Sequence, residues 1–377
     1  MAAIFSMINF FKSQKSGIGL DISDRSIKLL SLKKKTGGEM EIESFGYSII
    51  GEGVIENGNI LDQTKLAEAI KQAIEDANPK SPQSKRIFLA IPDSRVFMDT
   101  YTIDSNFSEK EILEVIKSRA AETVPFEPSS LSFDYRFLGK QKDGQSEYLY
   151  VSSPKEVIDA YSGVLEKIGL EPVVFEVESA SLARAFMKEK KSSVLIFDMG
   201  ARTTNLSISR NGEIVSSALV DFGGDQLTKV VAQNLKLSFE EADRLKLAMG
   251  LEGNRKENKI KPIIESFCPV IIDEIKRQID YYEKNTSKKI EEIITCGGSS
   301  LMAGMDKCLE ERSKRKVCRI DPWKTNGVAT SSVNGKIFNK EAPILFATVI
   351  GLALRGLGAK PRDTGVNLLK FRGDAAP

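Results

Sequence analysis

The sequence of 377 residues contains no histidine. This absence excludes a Ser-His-Asp or Cys-His catalytic group, histidine-ligated zinc and a histidine general base. Any acid–base chemistry must therefore use Asp, Glu, Lys, Tyr or water. The chain has only four cysteines, Cys268, Cys296, Cys308 and Cys318, and none of them forms a C-x-x-C pair. That spacing favours reduced thiols over a disulfide framework or an all-cysteine zinc site.

Long apolar runs and an excess of one charge are also missing. The longest apolar run, Ala342 to Leu354, contains proline and glycine and is shorter than the roughly 20 residues that cross a bilayer. It predicts a core helix, and we expect no transmembrane segment. The 54 basic residues nearly balance the 52 acidic ones, so a nucleic-acid partner is not expected.

The first residues, MAAIFSMINFFKSQK, lack a basic start and a cleavage site, so no signal peptide is expected. Four apolar side chains would share one helical face here: Ile4, Met7, Ile8 and Phe11. A face this short binds membranes only marginally, which favours a docked or frayed terminus over contact with a membrane surface.

Two segments in the chain resemble each other. IGLDISDRSIKLLSL begins at Ile18, and VLIFDMGARTTNLSIS begins at Val194. Each predicts a strand that ends at an aspartate, a tight turn with a hydroxyl residue, and a second strand. Two such hairpins, each opening one half of the chain, predict a duplicated protein with two lobes. The alignment pairs Asp21 with Asp198, Ser23 with Gly200, Arg25 with Arg202, and Ser26 with Thr203.

The two turns have the composition of phosphate-binding loops. Gly, Ser and Thr supply convergent backbone N–H groups and hydroxyl donors, and a carboxylate at the preceding strand end can hold Mg²⁺, often through water. Asp21 and Asp198 are therefore the predicted metal ligands. The candidate phosphate ligands are Ser23, Asp24, Arg25, Ser26, Lys28, Gly200, Arg202, Thr203 and Thr204.

A third segment, EEIITCGGSSLMAG, predicts an apolar strand that passes through two glycines into a helix. Gly297 and Gly298 would let the backbone approach a flat adenine ring, with Ser299 and the helix N-terminus beside a phosphate. On the preceding helix, Asp243 and Lys246 face the same way and would bind ribose and base, unless they form a surface ion pair. P-loop and Rossmann motifs are missing, which excludes those two nucleotide-binding folds.

Residues from about 96 to 177 predict a small inserted α/β module. A capping box at Ser108 and Glu111 opens its first helix, and a similar box at Ser238 and Glu241 opens a helix in the second half. The module has no cluster of catalytic residue types, so an interaction surface is its expected role.

These three segments, in this order, resemble the phosphate-1, phosphate-2 and adenosine motifs of the actin-like ATPase superfamily. Within it the chain resembles the PilM family of type IV pilus assembly proteins, which is related to FtsA. The resemblance includes INFFK, the module sequence SEKEILEVIKSRAAETVPFEP, EKIGLEPVVFEVESASLARAF and the terminal GVNLL. It implies an α/β, actin-like ATPase fold of two lobes, with ATP and Mg²⁺ bound between them.

The resemblance also implies a division into subdomains 1A, 1C, 2A and 2B, of which 1C is the inserted module (SHS2). Subdomain 1A is expected at 1–95, 1C at 96–177, a return to 1A at 178–192, 2A at 193–221, 2B at 222–289, 2A with the adenosine motif at 290–342, and a C-terminal helix returning to 1A, with a tail, at 343–377.

The implied role is that of a cytoplasmic, nucleotide-dependent scaffold, peripheral to the inner membrane, with at most slow ATPase activity. The family binds the N-terminal tail of PilN in a groove between the module and lobe 1, and joins the pilus alignment complex to the motor platform. Other inner-membrane and motor components, and further copies of the chain, are additional expected partners.

One departure from the family concerns the first hairpin, usually D-I-G-S-S-S, which here is Asp21-Ile22-Ser23-Asp24-Arg25-Ser26. Losing the glycine restricts the turn, and Asp24 would repel phosphate unless it points away or reaches the metal. Arg25 is expected to offset that charge. The sequence therefore predicts ATP binding and leaves hydrolysis open.

Two other functions are compatible with the superfamily. A division protein resembling FtsA would carry a C-terminal amphipathic helix, for which the tail FRGDAAP is too short and too polar. A small-molecule kinase would need a carboxylate base, for which Asp221 or Asp225 in VDFGGDQ is a candidate, although the Gly-Gly turn there is equally well structural.

Overall fold

The computed structural model describes residues 17–141, 144–187, 192–254, 256–331, 343–358 and 364–372. The predicted N-terminal apolar face of Ile4, Met7, Ile8 and Phe11, and the motif INFFK, lie outside the described residues.

The described residues form both strands and helices. The strands are β1 (Ile18–Ile22), β2 (Ser26–Lys34), β3 (Met40–Ile49), β4 (Ile55–Glu56), β5 (Asn59–Ile60), β6 (Arg86–Ile91), β7 (Phe97–Asp104), β8 (Leu131–Lys140), β9 (Gln145–Pro154), β10 (Glu171–Val177), β11 (Ser193–Met199), β12 (Thr204–Arg210), β13 (Glu213–Val220), β14 (Ile290–Cys296), β15 (Lys316–Cys318), β16 (Val328–Ala329) and β17 (Phe371–Arg372). The helices are α1 (Gln63–Glu75), α2 (Glu109–Thr123), α3 (Lys155–Lys167), α4 (Glu178–Phe186), α5 (Gly224–Leu235), α6 (Phe239–Met249), α7 (Lys261–Glu265), α8 (Cys268–Thr286), α9 (Met305–Ser313), α10 (Pro322–Thr325) and α11 (Ala347–Gly356).

Lobe 1 is built on a six-stranded sheet in the order β10-β6-β1-β2-β3-β16. Strand β1 pairs antiparallel with β2 and parallel with β6, so it lies inside the sheet and is buried along its whole length. The apolar sides of α1 and α3 cover one face of this sheet. Helices α4 and α11 pack in a second core that also contains side chains of β11 and β14, and this core joins the two lobes.

Lobe 2 repeats this plan in a five-stranded sheet of order β13-β12-β11-β14-β15. Strand β11, like β1, lies between an antiparallel and a parallel neighbour. Asp21 pairs with Lys28 across the first hairpin, and Asp198 pairs with Asn205 at the same position of the second. The predicted duplication is therefore confirmed by strand order and by register.

The inserted module is smaller than the predicted range of 96–177. Its sheet has the order β17-β8-β9-β7, and α2 packs on it through Ile112 and Ile116. Helix α3 and strand β10 belong instead to lobe 1, where β10 pairs in parallel with β6 and α3 enters the core. The physical reason is burial, because the apolar run PVVFEV finds covered faces only in the large sheet.

The module contacts lobe 2 as well as lobe 1. The hydroxyl of Thr100 donates a hydrogen bond of 2.7 Å to the carbonyl oxygen of Val215 on β13. Arg136 pairs with Glu213 at 2.7 Å. A further ion pair joins Arg210 of β12 to Glu147 of β9, with both side chains largely buried. The module therefore bridges the two lobes away from the cleft between them.

The C-terminal segment 364–372 ties the module to lobe 1. The backbone N–H of Leu368 donates to the Phe175 carbonyl oxygen of β10 (2.8 Å). The N–H of Asn367 donates to the carboxylate of Asp134 in the module (2.9 Å), and β17 then pairs with β8. The predicted return of this region to lobe 1 thus continues into the module.

Both predicted capping boxes are present, since Ser108 and Ser238 each accept the N–H of a glutamate three residues on. Within the described ranges, no helix combines the length and hydropathy needed to cross a bilayer.

Candidate functional site

A cleft of about 460 Å³ separates the two lobes at the hairpin ends of their sheets. All of the predicted site residues except Thr204 line it: Asp21, Ser23, Asp24, Arg25, Ser26, Lys28, Asp198, Gly200, Arg202, Thr203, Asp243, Lys246, Gly297, Gly298 and Ser299. Residues from four separate parts of the sequence therefore meet at one place.

The two hairpin turns have the same backbone hydrogen bond. Ser23 N–H donates to the Ser26 carbonyl oxygen at 2.9 Å, and Gly200 N–H donates to the Thr203 carbonyl oxygen at 2.9 Å. Ser23 does not adopt a positive φ, so serine replaces the family's glycine without backbone strain. Its hydroxyl also accepts the N–H of Ser26 at 3.1 Å, which stabilises the turn from within.

Asp24 is held by protein groups on lobe 1 and lobe 2. Its carboxylate accepts the backbone N–H groups of Asn57 and Gly58 in the β4–β5 turn, at 3.1 and 3.3 Å. It also pairs with Arg202 Nε at 3.1 Å. The expectation that Arg25 offsets this charge is wrong, because Arg202 does so and Arg25 is engaged elsewhere.

Ion pairs join the lobes at the mouth of the cleft. Arg25 of the first hairpin contacts Asp225 at the start of α5 at 2.6 Å. Arg202 of the second hairpin contacts Glu56 at 3.1 Å in addition to Asp24. Each pair is partly exposed and contributes little alone, but together they hold the two hairpins in register across the cleft.

Four carboxylates gather at the cleft floor: Asp21, Asp93, Glu178 and Asp198. Burial, together with the charge of Asp198, raises the pKa of Asp93 to about 7, although hydrogen bonds from Ser179 oppose this. Burial and the charge of Asp21 raise the pKa of Asp198 to about 6. Burial and the neighbouring carboxylates raise the pKa of Glu178 well above its usual value. The floor thus holds more negative charge than its surroundings stabilise.

Lys28 compensates part of this charge. Its ammonium contacts the Asp21 carboxylate at 3.1 Å. Burial alone would lower the pKa of Lys28, but Asp21 raises it above its usual value.

The sequence interpretation missed Asp93 and Glu178. Glu178 directly follows β10 and Asp93 lies two residues after β6, and both strands run parallel to β1. Because the carboxyl ends of parallel strands meet at one edge of a sheet, their acids join Asp21 there. The sequence did contain a signal for them, because an acidic residue closes each of the segments IPD, which ends at Asp93, and FEVE, which ends at Glu178.

The two glycines of the segment EEIITCGGSSLMAG, Gly297 and Gly298, have different structural roles. Gly297 has φ +80°, and a Cβ there would stand 2.3 Å from Asp198 Oδ1 and 2.4 Å from the Met199 carbonyl oxygen. Glycine is therefore required for this turn to close on the end of β11. Gly298 faces open space, since a Cβ there would meet its nearest atom, in Leu345, at 3.8 Å. Gly298 is thus the glycine past which a flat ring can lie.

Lys246 is a buried structural lysine rather than half of a surface ion pair. Its ammonium donates to the Gly224 carbonyl oxygen (3.1 Å), to the Thr228 hydroxyl (2.8 Å) and to the Asp243 carboxylate (2.7 Å). These bonds use all three donors of an ammonium group. Lys246 therefore orients Asp243, whose carboxylate remains at the cleft wall.

The family model of the type IV pilus assembly protein PilM matches residues 19–357. The chain belongs to the PilM family. Its structure is similar to that of a PilM–PilN type IV pilus biogenesis complex, with a TM-score of 0.78, 20% identity, and 92% of this chain and 99% of the other covered.

Cell division proteins and an MreB structure are also similar to this chain. The cell division protein FtsA of Streptococcus pneumoniae serotype 2 is 23% identical over 78% of this chain and 72% of its own length. FtsA of Bacillus subtilis is 23% identical over 62% of this chain and 58% of its own length. MreB 5 of Spiroplasma citri, solved bound to AMPPNP, has a TM-score of 0.50 and 15% identity over 91% of this chain and 96% of its own. The predicted actin-like ATPase fold is confirmed.

Thr204 of this PilM-family chain does not reach the cleft. Its side chain is wholly buried, and its hydroxyl donates to the Phe222 carbonyl oxygen at 2.7 Å. It supports the end of β12, one position too far along the strand to face a ligand. The prediction that Thr204 binds the cofactor is therefore corrected.

The two candidate bases of the kinase alternative have different surroundings. Asp221 is exposed and does not line the cleft, and the Asp225 carboxylate is already paired with Arg25. The adjoining Gly-Gly turn is structural, because a Cβ at Gly223 would stand 2.5 Å from the carbonyl carbon of Arg202. These glycines let α5 begin directly against the second hairpin.

The carboxylates fit a hydrated Mg²⁺ ion. In the described parts of the chain, no group of three or more acidic or cysteine side chains is placed to hold a metal by itself. Mg²⁺ does not need such a cage, since it is usually held by one or two carboxylates, waters and substrate phosphates. Asp21 and Asp198 would supply those carboxylates, and the raised pKa values of Asp198 and of nearby Asp93 indicate a shortage of positive charge around them.

Proposed function

We propose that this PilM-family chain binds ATP with Mg²⁺ in the cleft and acts as a nucleotide-dependent scaffold in type IV pilus assembly. The observation that carries the proposal is the pair of equivalent hairpins that face each other across a floor of carboxylates. A bound Mg²⁺ would neutralise charge between those carboxylates and the phosphates.

The two turns provide the phosphate contacts. The tips of the two turns, Ser23 to Ser26 in lobe 1 and Gly200 to Thr203 in lobe 2, border the same space. Asp21 and Asp198 would hold the metal, and Asp243 would meet the ribose beside the open face of Gly298. Arg25 and Arg202 are occupied by carboxylates, which favours nucleotide binding over rapid hydrolysis. The proposed enzyme activity is at most that of a slow ATPase.

Asp198→Ala tests the cleft. Removing this carboxylate takes away one predicted Mg²⁺ ligand, so we expect the affinity for ATP with Mg²⁺ to fall by at least about tenfold. Titration calorimetry of the full chain, with and without Mg²⁺, measures the change directly.

Asp221→Ala is the matched control for that experiment. It also removes an aspartate from lobe 2, but at an exposed position outside the cleft. ATP affinity should stay at the wild-type value. Equal losses in both variants, or no ATP binding by the wild-type chain, would refute the assignment of the cleft.

We infer that the partner is the N-terminal tail of PilN, by analogy with the PilM–PilN complex that this fold resembles. The tail would hold the chain at the cytoplasmic side of the inner membrane and link it to the alignment complex and motor platform. The module supports this role, because it exposes three large apolar side chains: Phe107 (40%), Phe126 (43%) and Phe137 (49%). Aromatic side chains of this kind often anchor a peptide.

The chain's own segment 364–372 lies between the module and lobe 1, with Asn367 held by Asp134 on one side and by Phe175 on the other. A tail bound between the module and lobe 1 must therefore lie beside that segment. Phe126 packs against Phe97 with a tilt of 59° and 5.4 Å between ring centroids, and the two rings form an aromatic pair at the module sheet.

Phe126→Ala tests the module surface. Loss of a central aromatic contact should weaken binding of a fluorescent PilN-tail peptide by about tenfold. Fluorescence anisotropy measures the affinity. Tyr281→Ala is the control, because Tyr281 is also exposed (67%) but belongs to α8 of lobe 2. If only Tyr281→Ala weakened the affinity for the peptide, the peptide site would lie on lobe 2. If the wild-type chain did not bind the peptide, the proposed scaffold role would be rejected.

A further inference from the structure

Two cysteines from different helices lie side by side in lobe 2. Cys268 begins α8 and Cys308 lies in α9, and their Sγ atoms are 3.7 Å apart. All four cysteines of the chain are free thiols in the structure. Cys268 is buried, and Cys308 is partly exposed. One thiol of the pair is therefore accessible to a small oxidant, with the other in contact behind it.

The other two cysteines have different surroundings. Cys296 is buried beside Asp198, and burial together with that carboxylate raises the pKa of its thiol. Cys318 is partly exposed but contacts the Glu292 carboxylate at 3.3 Å. By contrast, Cys308 lies against the Cys268 thiol, and this contact, with a contribution from Arg312, lowers the pKa of Cys308. A thiolate is the reactive form of cysteine, so Cys308, the partly exposed member of the pair, is the thiol that meets the oxidant first.

The surroundings of the cysteine pair are apolar. Phe222, Leu227 and Met305 border a small apolar gap next to both cysteines. A disulfide bond requires the two sulfur atoms to close from 3.7 Å to about 2.05 Å. Both cysteine side chains line this gap, so the new bond would form at an apolar site inside the fold.

We propose that Cys268 and Cys308 form an oxidisable dithiol, which hydrogen peroxide converts into a reversible disulfide between α8 and α9. This site is independent of the proposed nucleotide and peptide sites. Its oxidant class is the peroxides, which are small enough to reach a partly exposed thiol.

The chemistry balances in two steps. The Cys308 thiolate attacks one oxygen of hydrogen peroxide, the O–O bond breaks, and the departing hydroxide takes up a proton to give water and a sulfenic acid. The Cys268 thiolate then attacks the Cys308 sulfur: the S–S bond forms, the S–O bond of the sulfenic acid breaks, and the departing hydroxide takes up the proton lost by Cys268 to give the second water. Overall, two thiols and one peroxide give one disulfide and two waters. A dithiol reductant reverses the bond by exchange.

Peptide mass spectrometry of the full folded chain tests the proposal. The protein is treated with a modest excess of hydrogen peroxide, the remaining thiols are alkylated in denaturant, and the digest is examined. We expect a linked peptide pair that contains Cys268 and Cys308 and lacks two hydrogen atoms, and that disappears after treatment with dithiothreitol. Cys296 and Cys318 should be recovered alkylated.

Two variants separate the steps. In Cys268→Ser the second thiol is missing, so Cys308 should accumulate as a sulfenic acid that dimedone labels. Cys318→Ser is the control, because it removes another partly exposed thiol and should leave the linked peptide unchanged.

Several results would overturn the proposal. These are oxidation of Cys318 ahead of Cys308, sulfenic acid at Cys308 without the link in the wild type, and the same link at the same rate in urea. The last result would mean that the folded geometry has no part in the reaction.

Discussion

Glu176→Ala is expected to lower the free energy of unfolding by about 3–5 kcal/mol, because it leaves buried guanidinium groups without their counter-charge. Glu176 is fully buried on β10 and accepts hydrogen bonds from Ser181, Arg184 and Arg355. Arg355 also donates to the carbonyl oxygen of Val366 at 2.7 Å, so the network fastens the C-terminal segment to lobe 1.

The pKa of Glu176 fits this role. Burial alone would raise it, but Arg184 and Arg355 lower it to about 2. A lowered carboxyl pKa stabilises the folded state above the usual pKa of glutamate, and this contribution is lost as the pH falls toward 2.

Urea unfolding followed by circular dichroism at neutral pH measures the loss. Glu114→Ala is the control, since Glu114 pairs with Lys117 on the exposed side of α2 and should cost less than about 1 kcal/mol. Equal effects of the two substitutions would show that the buried network contributes no more than a surface ion pair.

Acidification from about pH 7 to pH 5 is expected to stabilise the ligand-free chain by about 2 kcal/mol. The folded chain binds protons at Asp93 and Asp198, whose pKa values are raised to about 7 and about 6, while the unfolded chain does not. A raised carboxyl pKa gives stability that is present at low pH and is lost as the pH rises through the folded-state value. Both groups still face the cleft, so water screens part of the effect.

The absence of histidine makes this pH window unusually easy to interpret. The chain has no histidine, so no imidazole titrates between pH 5 and 7. Urea unfolding at several pH values should give a shallower pH dependence in Asp93→Asn than in the wild type. Saturating Mg²⁺ and ATP should stabilise the chain most near pH 7, where the floor is most negative. A stability that rises from pH 5 to pH 7 in the wild type would contradict the prediction.

The hairpins were predictable because each is a local pattern. The aspartate, the turn and the following strand lie within about a dozen residues, and the resemblance between the two copies preserved their register. The adenosine turn was equally local. Its position against Asp198 follows from the pairing of β14 with β11, and that pairing could not be predicted from the sequence.

The missed groups depend on distant partners. Glu176 interrupts an apolar strand, and its partner Arg355 is far along the chain, so the sequence gives no sign that it is buried and paired. Predicting that Asp93 and Glu178 lie in the cleft requires the order of strands β1, β6 and β10 in the sheet. The module boundary depends on the same strand order. The ion pairs of Asp24 with Arg202 and of Arg25 with Asp225 join the two lobes. They could not be predicted, because no local pattern gives the distance between the lobes.

The module's attachment to both lobes has a thermodynamic consequence. Any motion that opens the cleft must also strain or break the contacts of Thr100 with Val215 and of Arg136 with Glu213. A molecule bound to the module and a ligand bound in the cleft would therefore act on one shared equilibrium. If the molecule on the module changes the affinity for the cleft ligand by some factor, linkage requires that the cleft ligand change the affinity for that molecule by the same factor.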